Sequence, residues 1–176
     1  HQVQVGDAQA LLACYSDERA VALFNSDNCT SDFYYRTKAE MINCIKFWNL
    51  EFKSKTYIRY VVMDKQINLA VGTIEFFAKK KVHSEYGRIG VLRLDLCSEY
   101  ECQESINDIL GMVEDNFVRD FDVDTIITKA IPLAFERIDS LKGNQYSKID
   151  EKGLVNYEHY YYKMATISSN LAYALG

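Results

Sequence analysis

The sequence predicts an α+β protein, built of mixed α/β layers, on three observations. A capping box, Thr37-Lys38-Ala39-Glu40, precedes Met41, Ile45, Trp48 and Phe52, which recur at i, i+4, i+7 and i+11, the stripe of an amphipathic helix. After Lys55 come three segments rich in Val, Ile, Leu, Phe and Tyr, joined by short polar connections. From Ser98 onward, helical and strand patterns alternate.

The elements follow in order. Gln2 to Val5 reads as a short strand, followed by a helix capped by Asp7 that carries Leu11, Leu12 and Tyr15. A second short apolar segment runs from Ala20 to Phe24 and leads to the helix opened by Thr37. Tyr57 to Met63, Ile67 to Phe77 and Arg88 to Cys97 form a meander of antiparallel strands. Ser98-Glu99-Tyr100-Glu101 matches a second capping box, opening a helix with Ile106, Ile109, Leu110, Val113 and Phe117 on one face and ending near Asp120. Thr125 to Lys129 is a short strand. Pro132 suits the first turn of a further helix whose Phe135, Ile138 and Leu141 face inward, and Gly143 suits its end. Tyr157 to Ile167 is a closing, strongly aromatic strand.

Length and composition bound the class. With 176 residues, one proline, eight glycines and no repeat or linker, residues 1–176 read as a single domain. A composition of 48% hydrophobic and 26% charged residues is that of a folded soluble chain. The formal charge of −5 disfavours a nucleic-acid partner, because phosphate neutralisation needs concentrated Lys and Arg. No apolar run approaches the length of a membrane span, so no membrane partner is expected. Cys14, Cys29, Cys44, Cys97 and Cys102 form no CxxC and are odd in number, against both a disulfide framework and a zinc site. The expectation is a reduced, cytoplasmic protein without a metal; Asn28-Cys29-Thr30 matches the glycosylation sequon only as a short accidental pattern. Lys79-Lys80-Lys81, in a hairpin connection, reads as solubility and edge protection.

The element order resembles the GNAT superfamily of N-acetyltransferases, whose fold has an N-terminal strand and two helices, three antiparallel strands and a βαβαβ segment around a splayed, mostly antiparallel sheet. Ala8 to Asn25, with its Tyr15-Ser16-Asp17 step, looks like the opening helices of the branch that acetylates ribosomal-protein N-termini. Val71-Gly72-Thr73-Ile74-Glu75-Phe76-Phe77 is similar to that branch's third strand, and Gly90-Val91-Leu92-Arg93-Leu94-Asp95-Leu96 stands in the place of its fourth. The resemblance implies a GNAT-like acyl-CoA N-acyltransferase fold, with acetyl-CoA as cosubstrate and an amine acceptor: a protein N-terminus, a polyamine or a small amine. It implies that the backbone of Leu94, Asp95 and Leu96 holds the pantetheine arm, with Cys97, Cys102 and Gln103 bordering the cofactor cleft. It also implies that the aromatic last strand can pair with a second copy to give a homodimer.

The chain departs from the family at two places. The family's Gln/Arg-x-x-Gly-x-Gly/Ala turn lets helix N-terminal amides approach the coenzyme A pyrophosphate. The matching stretch, Leu96 to Glu104, contains no glycine and carries Glu99, Glu101 and Glu104. Glu99 to Asp124 holds nine acids and one base, a local charge of −8. Lys129, Lys142 and Lys148 are the cations that compensate if they lie near. In the last helix, where the family has a tyrosine that protonates the thiolate, Phe135 or Leu141 stands, so the acid would be Tyr146 or Tyr100.

Acyl transfer to an amine requires that the amine lose a proton, that charge on the thioester oxygen be stabilised, and that the thiolate be protonated. Glu75 is the candidate base, since it interrupts an apolar strand and shares a face with Thr73 and Phe77. Its bland alternative is a cross-strand ion pair, for instance with Arg93, and Asp95 reads equally as a salt bridge. Cys97 and Cys102 read as small buried residues, and Met41, Ile45, Trp48 and Phe52 as core. His159 either lines an acceptor pocket or packs among its neighbouring tyrosines. Two functions follow: an acetyl-CoA-dependent N-acetyltransferase, or a catalytically inactive GNAT-like binding or dimerisation module.

Overall fold

The computed structural model describes residues 1–150 and 154–165. Five helices and six strands follow in the order α1 (Ala8–Tyr15), α2 (Glu18–Val21), α3 (Lys38–Lys53), β1 (Ile58–Asp64), β2 (Leu69–Ala78), β3 (Ile89–Leu96), α4 (Gln103–Asp120), β4 (Thr125–Lys129), α5 (Phe135–Gly143), β5 (Ser147–Lys148) and β6 (Tyr160–Met164). The strands form one sheet in the order β1-β2-β3-β4-β6-β5. Only β3 and β4 are parallel; the remaining neighbours are antiparallel. This is the mixed, mostly antiparallel sheet flanked by helices that the sequence predicts.

Strand alternation sends the two sets of side chains to opposite faces. Ile74 and Phe76 of β2 and Leu92, Leu94 and Leu96 of β3 join Ile106, Ile109, Leu110, Val113 and Phe117 of α4 in the larger core. The opposite face is covered by α1 and α3, where Leu11, Tyr15, Met41, Ile45 and Trp48 are buried. The α3 capping box forms as expected: Thr37 Oγ1 accepts from the Glu40 amide and Glu40 Oε2 from the Thr37 amide. Gly72 lets β2 approach β3 closely, since a Cβ there would collide with the Asp95 carbonyl oxygen.

Four expectations are corrected. The strand expected at Gln2 to Val5 reduces to a single bridge between Gln2 and Tyr60, because the chain then turns, with Asp7 Oδ2 accepting from the Gln4 amide. Ser98 caps no long helix: its hydroxyl donates to Asp17 Oδ2 at 2.5 Å, Ser98–Tyr100 is a 3-10 turn, and α4 begins at Gln103. The helix after Pro132 starts three residues later, and Phe135 points outward with 68% exposure while the fully buried Arg137 takes the inward place. The closing strand spans Tyr160–Met164; residues 166 and 167 lie outside the described residues. No helix among the described residues is long and apolar enough to cross a membrane.

Candidate functional site

The register across β1, β2 and β3 lines up charge. Arg59 faces Glu75, which faces Arg93, and in the next row of the same face Thr73 opposes Asp95. Arg59 Nη2 donates to Glu75 Oε2 at 2.5 Å, and Arg93 Nη1 donates to Glu75 Oε1 at 2.9 Å. Arg59 Nη1 reaches Asp95 Oδ2 at 2.7 Å, and Tyr15 Oη donates to the same oxygen at 2.8 Å. All four charged side chains are buried, and they balance, two cations against two carboxylates. Burial at such a cost is tolerable because nearly every ion has a partner. Arg59 also stacks on Trp48, with its guanidinium carbon 4.2 Å from the ring centre. Glu75 and Asp95 are therefore both in ion pairs, and the Glu75–Arg93 pair raised from the sequence is present. Arg59 went unread in the sequence, although its alternating position in β1 places it on this face.

Above this floor lies a cavity of about 710 Å³, enclosed by α3, the loop of residues 28–35 and the sheet. Glu75, Phe77 and Arg93 line its sheet side, Trp48 and Phe47 its helix side, and Cys29 its loop side. Arg93 donates to Cys29 Sγ at 3.3 Å and to the Asp27 carbonyl at 2.6 Å, which holds the loop over the middle of β3. Arg93 Nε is buried without a hydrogen-bond partner.

Beside the cavity, β3 and β4 part. Their parallel pairing runs from Ile89–Thr125 to Leu92–Thr128; β3 continues to Leu96 on its β2 side, while β4 ends at Lys129. From Arg93 onward the β4-facing edge of β3 has no strand partner. The residue at the apex of the gap, Arg93, is thus also a wall of the cavity. Tyr160 of β6 pairs with Lys129 at the end of β4, and its hydroxyl accepts from Asn25 Nδ2 at 2.9 Å and donates to Asp27 Oδ2 at 3.2 Å. Lys129 pairs with Asp27 at 2.8 Å.

The expected site residues fall into separate groups. Glu75 lines the cavity. Leu94, Asp95 and Leu96 form the unpaired edge of β3, their side chains buried. Cys97 follows that edge, and a hydrogen bond from the buried Cys14 thiol lowers its pKa below the ordinary thiol value. Cys102 is the N-cap residue of α4 without a side-chain cap, and its thiol meets Ser105 Oγ at 3.4 Å; Gln103 is exposed in the first turn. Tyr100 Oη donates to Asp64 Oδ2 at 2.7 Å, beside the outermost strand, β1, and that bond pushes its pKa up to about 12. Tyr146 is buried beside Glu114, with its phenol pushed well up by burial. Neither tyrosine lines the cavity. His159 lies half-buried at the start of β6, its ring 3.7 Å from Glu158.

The start of α4 decides whether a coenzyme A diphosphate fits. An unpaired strand edge and a helix N-terminus without a side-chain cap offer backbone N–H groups to a pantetheine amide and a diphosphate. Side-chain charge is less favourable. Glu101 is held by Arg137, which donates Nε to Oε1 and Nη2 to Oε2, both at 2.7 Å, and Nη1 to the Leu23 carbonyl at 3.2 Å. That pair neutralises Glu101, while Glu99 and Glu104 are exposed. Asn144 donates to Asn107 at 2.8 Å, bringing the last turn of α5, with the exposed Lys142, alongside α4. What this helix start offers a diphosphate is backbone amides rather than side-chain cations. Among the described residues, no group of three or more His, Cys, Asp or Glu is arranged to hold a metal ion.

The buried phenols have a consequence for pH. Burial raises the pKa of Tyr15, Tyr35, Tyr57, Tyr146 and Tyr160, the last to about 12. In the unfolded chain a tyrosine ionises near pH 10. The folded state therefore keeps protons that the unfolded state releases, and stability is full below about pH 10 and falls as pH rises above it. The urea midpoint is expected to fall steadily from about pH 10 to pH 12, with phenolate absorbance appearing together with unfolding. A midpoint that does not move over that interval contradicts the burial of these phenols.

This fold occurs in solved enzymes. No protein-family model matches the chain, and no curated protein matches it in sequence. Among solved structures, the spermidine N-acetyltransferase of Vibrio cholerae, determined with CoA and spermine, is similar with a TM-score of 0.65 at 13% identity, covering 94% of both chains. A GNAT-family acetyltransferase from Bacillus anthracis gives 0.66 at 14% identity, covering 94% of this chain and 93% of its own. A ribosomal-protein-alanine acetyltransferase from Vibrio fischeri gives 0.60 at 16% identity over 94% and 91%. The chain has the GNAT acyl-CoA N-acyltransferase fold, as its element order suggests.

Proposed function

We propose that the chain is an acetyl-CoA-dependent N-acetyltransferase that acts on a primary amine bound in the 710 Å³ cavity. The observation that carries this reading is that the β3–β4 gap and the cavity meet at one residue, Arg93. The spermidine enzyme of the same fold, bound to CoA and spermine, supports a thioester donor and an amine acceptor. Acetyl-CoA, when bound, supplies the activated acetyl group. The backbone of Leu94 to Leu96 would hold the donor's arm, and the α4 amides after Cys102, from Gln103 on, would hold its diphosphate.

Glu75 is the residue we assign to the amine. Each of its oxygens accepts one arginine N–H, leaving a lone pair for an ammonium or for the water that carries its proton away. We assign return of a proton to the departing thiolate to Tyr160, in preference to Tyr146 or Tyr100. Tyr160 opens the strand that pairs with the end of β4, its Oη hydrogen-bonds Asp27, and as a phenol it carries a proton at neutral pH. A second reading, a binding module without catalysis, is favoured by one observation: the exposed Glu99 and Glu104 at the start of α4, which no ion pair among the described residues neutralises.

Thiol release from acetyl-CoA tests the reading. Mixed with a panel of primary amines, the protein is expected to release free CoA only when an amine is present, with the acetylated amine identified by mass. No release with any amine, from a folded sample, leaves the binding module as the function.

A further inference from the structure

We infer that the cavity takes an amine with a single cationic nitrogen on an apolar, aromatic body, in preference to a polyamine or an anionic acceptor. As an assignment of acceptor class this rests on the transferase reading; as a binding site it stands alone. Six aromatic rings line the cavity: Phe33 and Tyr35 from the loop, Phe47 and Trp48 from α3, Tyr57 just before β1, and Phe77 from β2. Aromatic faces attract cations and pack against apolar rings. The fold already displays this chemistry, since the Arg59 guanidinium stacks on Trp48 at 4.2 Å and lies 5.7 Å from the Phe33 ring.

The charges of the lining are Glu40, Glu75 and Arg93, a formal balance of −1. Glu40 is committed to the start of α3, its Oε2 accepting from the Arg36 and Thr37 amides. Glu75, already paired with Arg59 and Arg93, is the one carboxylate on the floor, and the lone pairs those arginines leave open accept from one ammonium. A polyamine would carry its further ammonium groups along a largely aromatic wall, where the one other carboxylate of the lining is the exposed Glu40 at the start of α3, at a desolvation cost for each. An anion would have to compete with Glu75 for Arg93. The volume suits a small ring-bearing ligand within the usual range of such sites.

Trp48, the only tryptophan of the chain, reports from inside the cavity. Its emission is to be followed while the full chain, without acetyl-CoA, is titrated with 2-phenylethylamine, spermine or 3-phenylpropionate at pH 7.5 and fixed ionic strength. Saturable change with 2-phenylethylamine is expected, with spermine and 3-phenylpropionate at least about tenfold weaker. Phe47 is 56% exposed at the rim, so Phe47→Ala leaves the fold intact and is expected to weaken 2-phenylethylamine roughly two- to tenfold. Spermine or the anion binding as tightly as 2-phenylethylamine, or binding untouched by Phe47→Ala, overturns the proposal. The outcomes also separate the two readings. Binding of 2-phenylethylamine without any acetyl transfer keeps this site and removes the transferase; transfer to spermine without a 2-phenylethylamine response does the reverse.

Discussion

Arg59→Met is expected to destabilise the protein by about 3–5 kcal/mol, a large share of the total stability of a domain of this size. The substitution keeps an unbranched chain of similar length, so little volume is lost and the effect is electrostatic. Arg59 is 2% exposed and donates to Glu75, Asp95, Thr73 and Tyr15 from three separate elements. Without it, Asp95 loses its cation in a place that water does not reach, and Glu75 keeps only Arg93. Removing one partner of a buried pair costs far more than the pair contributes, because the other charge stays behind desolvated. Urea unfolding at pH 7.5 measures the loss as a fall in midpoint at unchanged slope. Arg59→Lys restores the charge but not the fork that serves both carboxylates, and an intermediate midpoint is expected. A midpoint for Arg59→Met within error of the wild type would show that the row of charges is not a buried unit.

Glu75→Gln is expected to lower the turnover of acetyl transfer by about 10²–10⁴-fold, the usual contribution of a positioned general base. The amide keeps the shape and one acceptor oxygen, so Arg93 or Arg59 retains a partner, while the site for the proton is lost. Because the substitution also weakens two ion pairs, it is read with a control: the variant's midpoint and its Trp48 emission establish that the cavity is still formed. Wild-type turnover in a folded Glu75→Gln protein would remove Glu75 from the chemistry and leave it as a structural counter-ion.

Periodicity made most of the architecture readable. The alternation of β2 and β3 placed Thr73, Glu75 and Phe77 on one face and Arg93 and Asp95 on a matching face, and the α4 stripe from Ile106 to Phe117 packs as its spacing implies. Local signals failed where a distant partner outcompeted them. The Ser98 hydroxyl is drawn to Asp17, eighty-one positions away, instead of capping the nearby helix. Arg137 displaces Phe135 from the inward position because Glu101 and the Leu23 carbonyl offer buried acceptors. The two-residue β5 is too short to carry a pattern of its own. The cavity has no periodic signature either, since the loop that closes it, residues 28–35, is irregular and is held by Arg93 contacts to Asp27 and Cys29. Strand alternation assigns a side chain to a face but not to a cross-strand neighbour, which is why Arg59 is recognisable only once the β1–β2 register is known.

Whether a diphosphate can settle against amides at a helix start ringed by Glu99, Glu101 and Glu104 is answered by the thermal midpoint with and without CoA itself, free of any acceptor. At about one hundred times its dissociation constant, a ligand of the native state adds roughly 2.7 kcal/mol, so a clear rise in midpoint that grows with CoA concentration is predicted. A midpoint indifferent to millimolar CoA would mean that the gap between β3 and β4 admits no thioester donor.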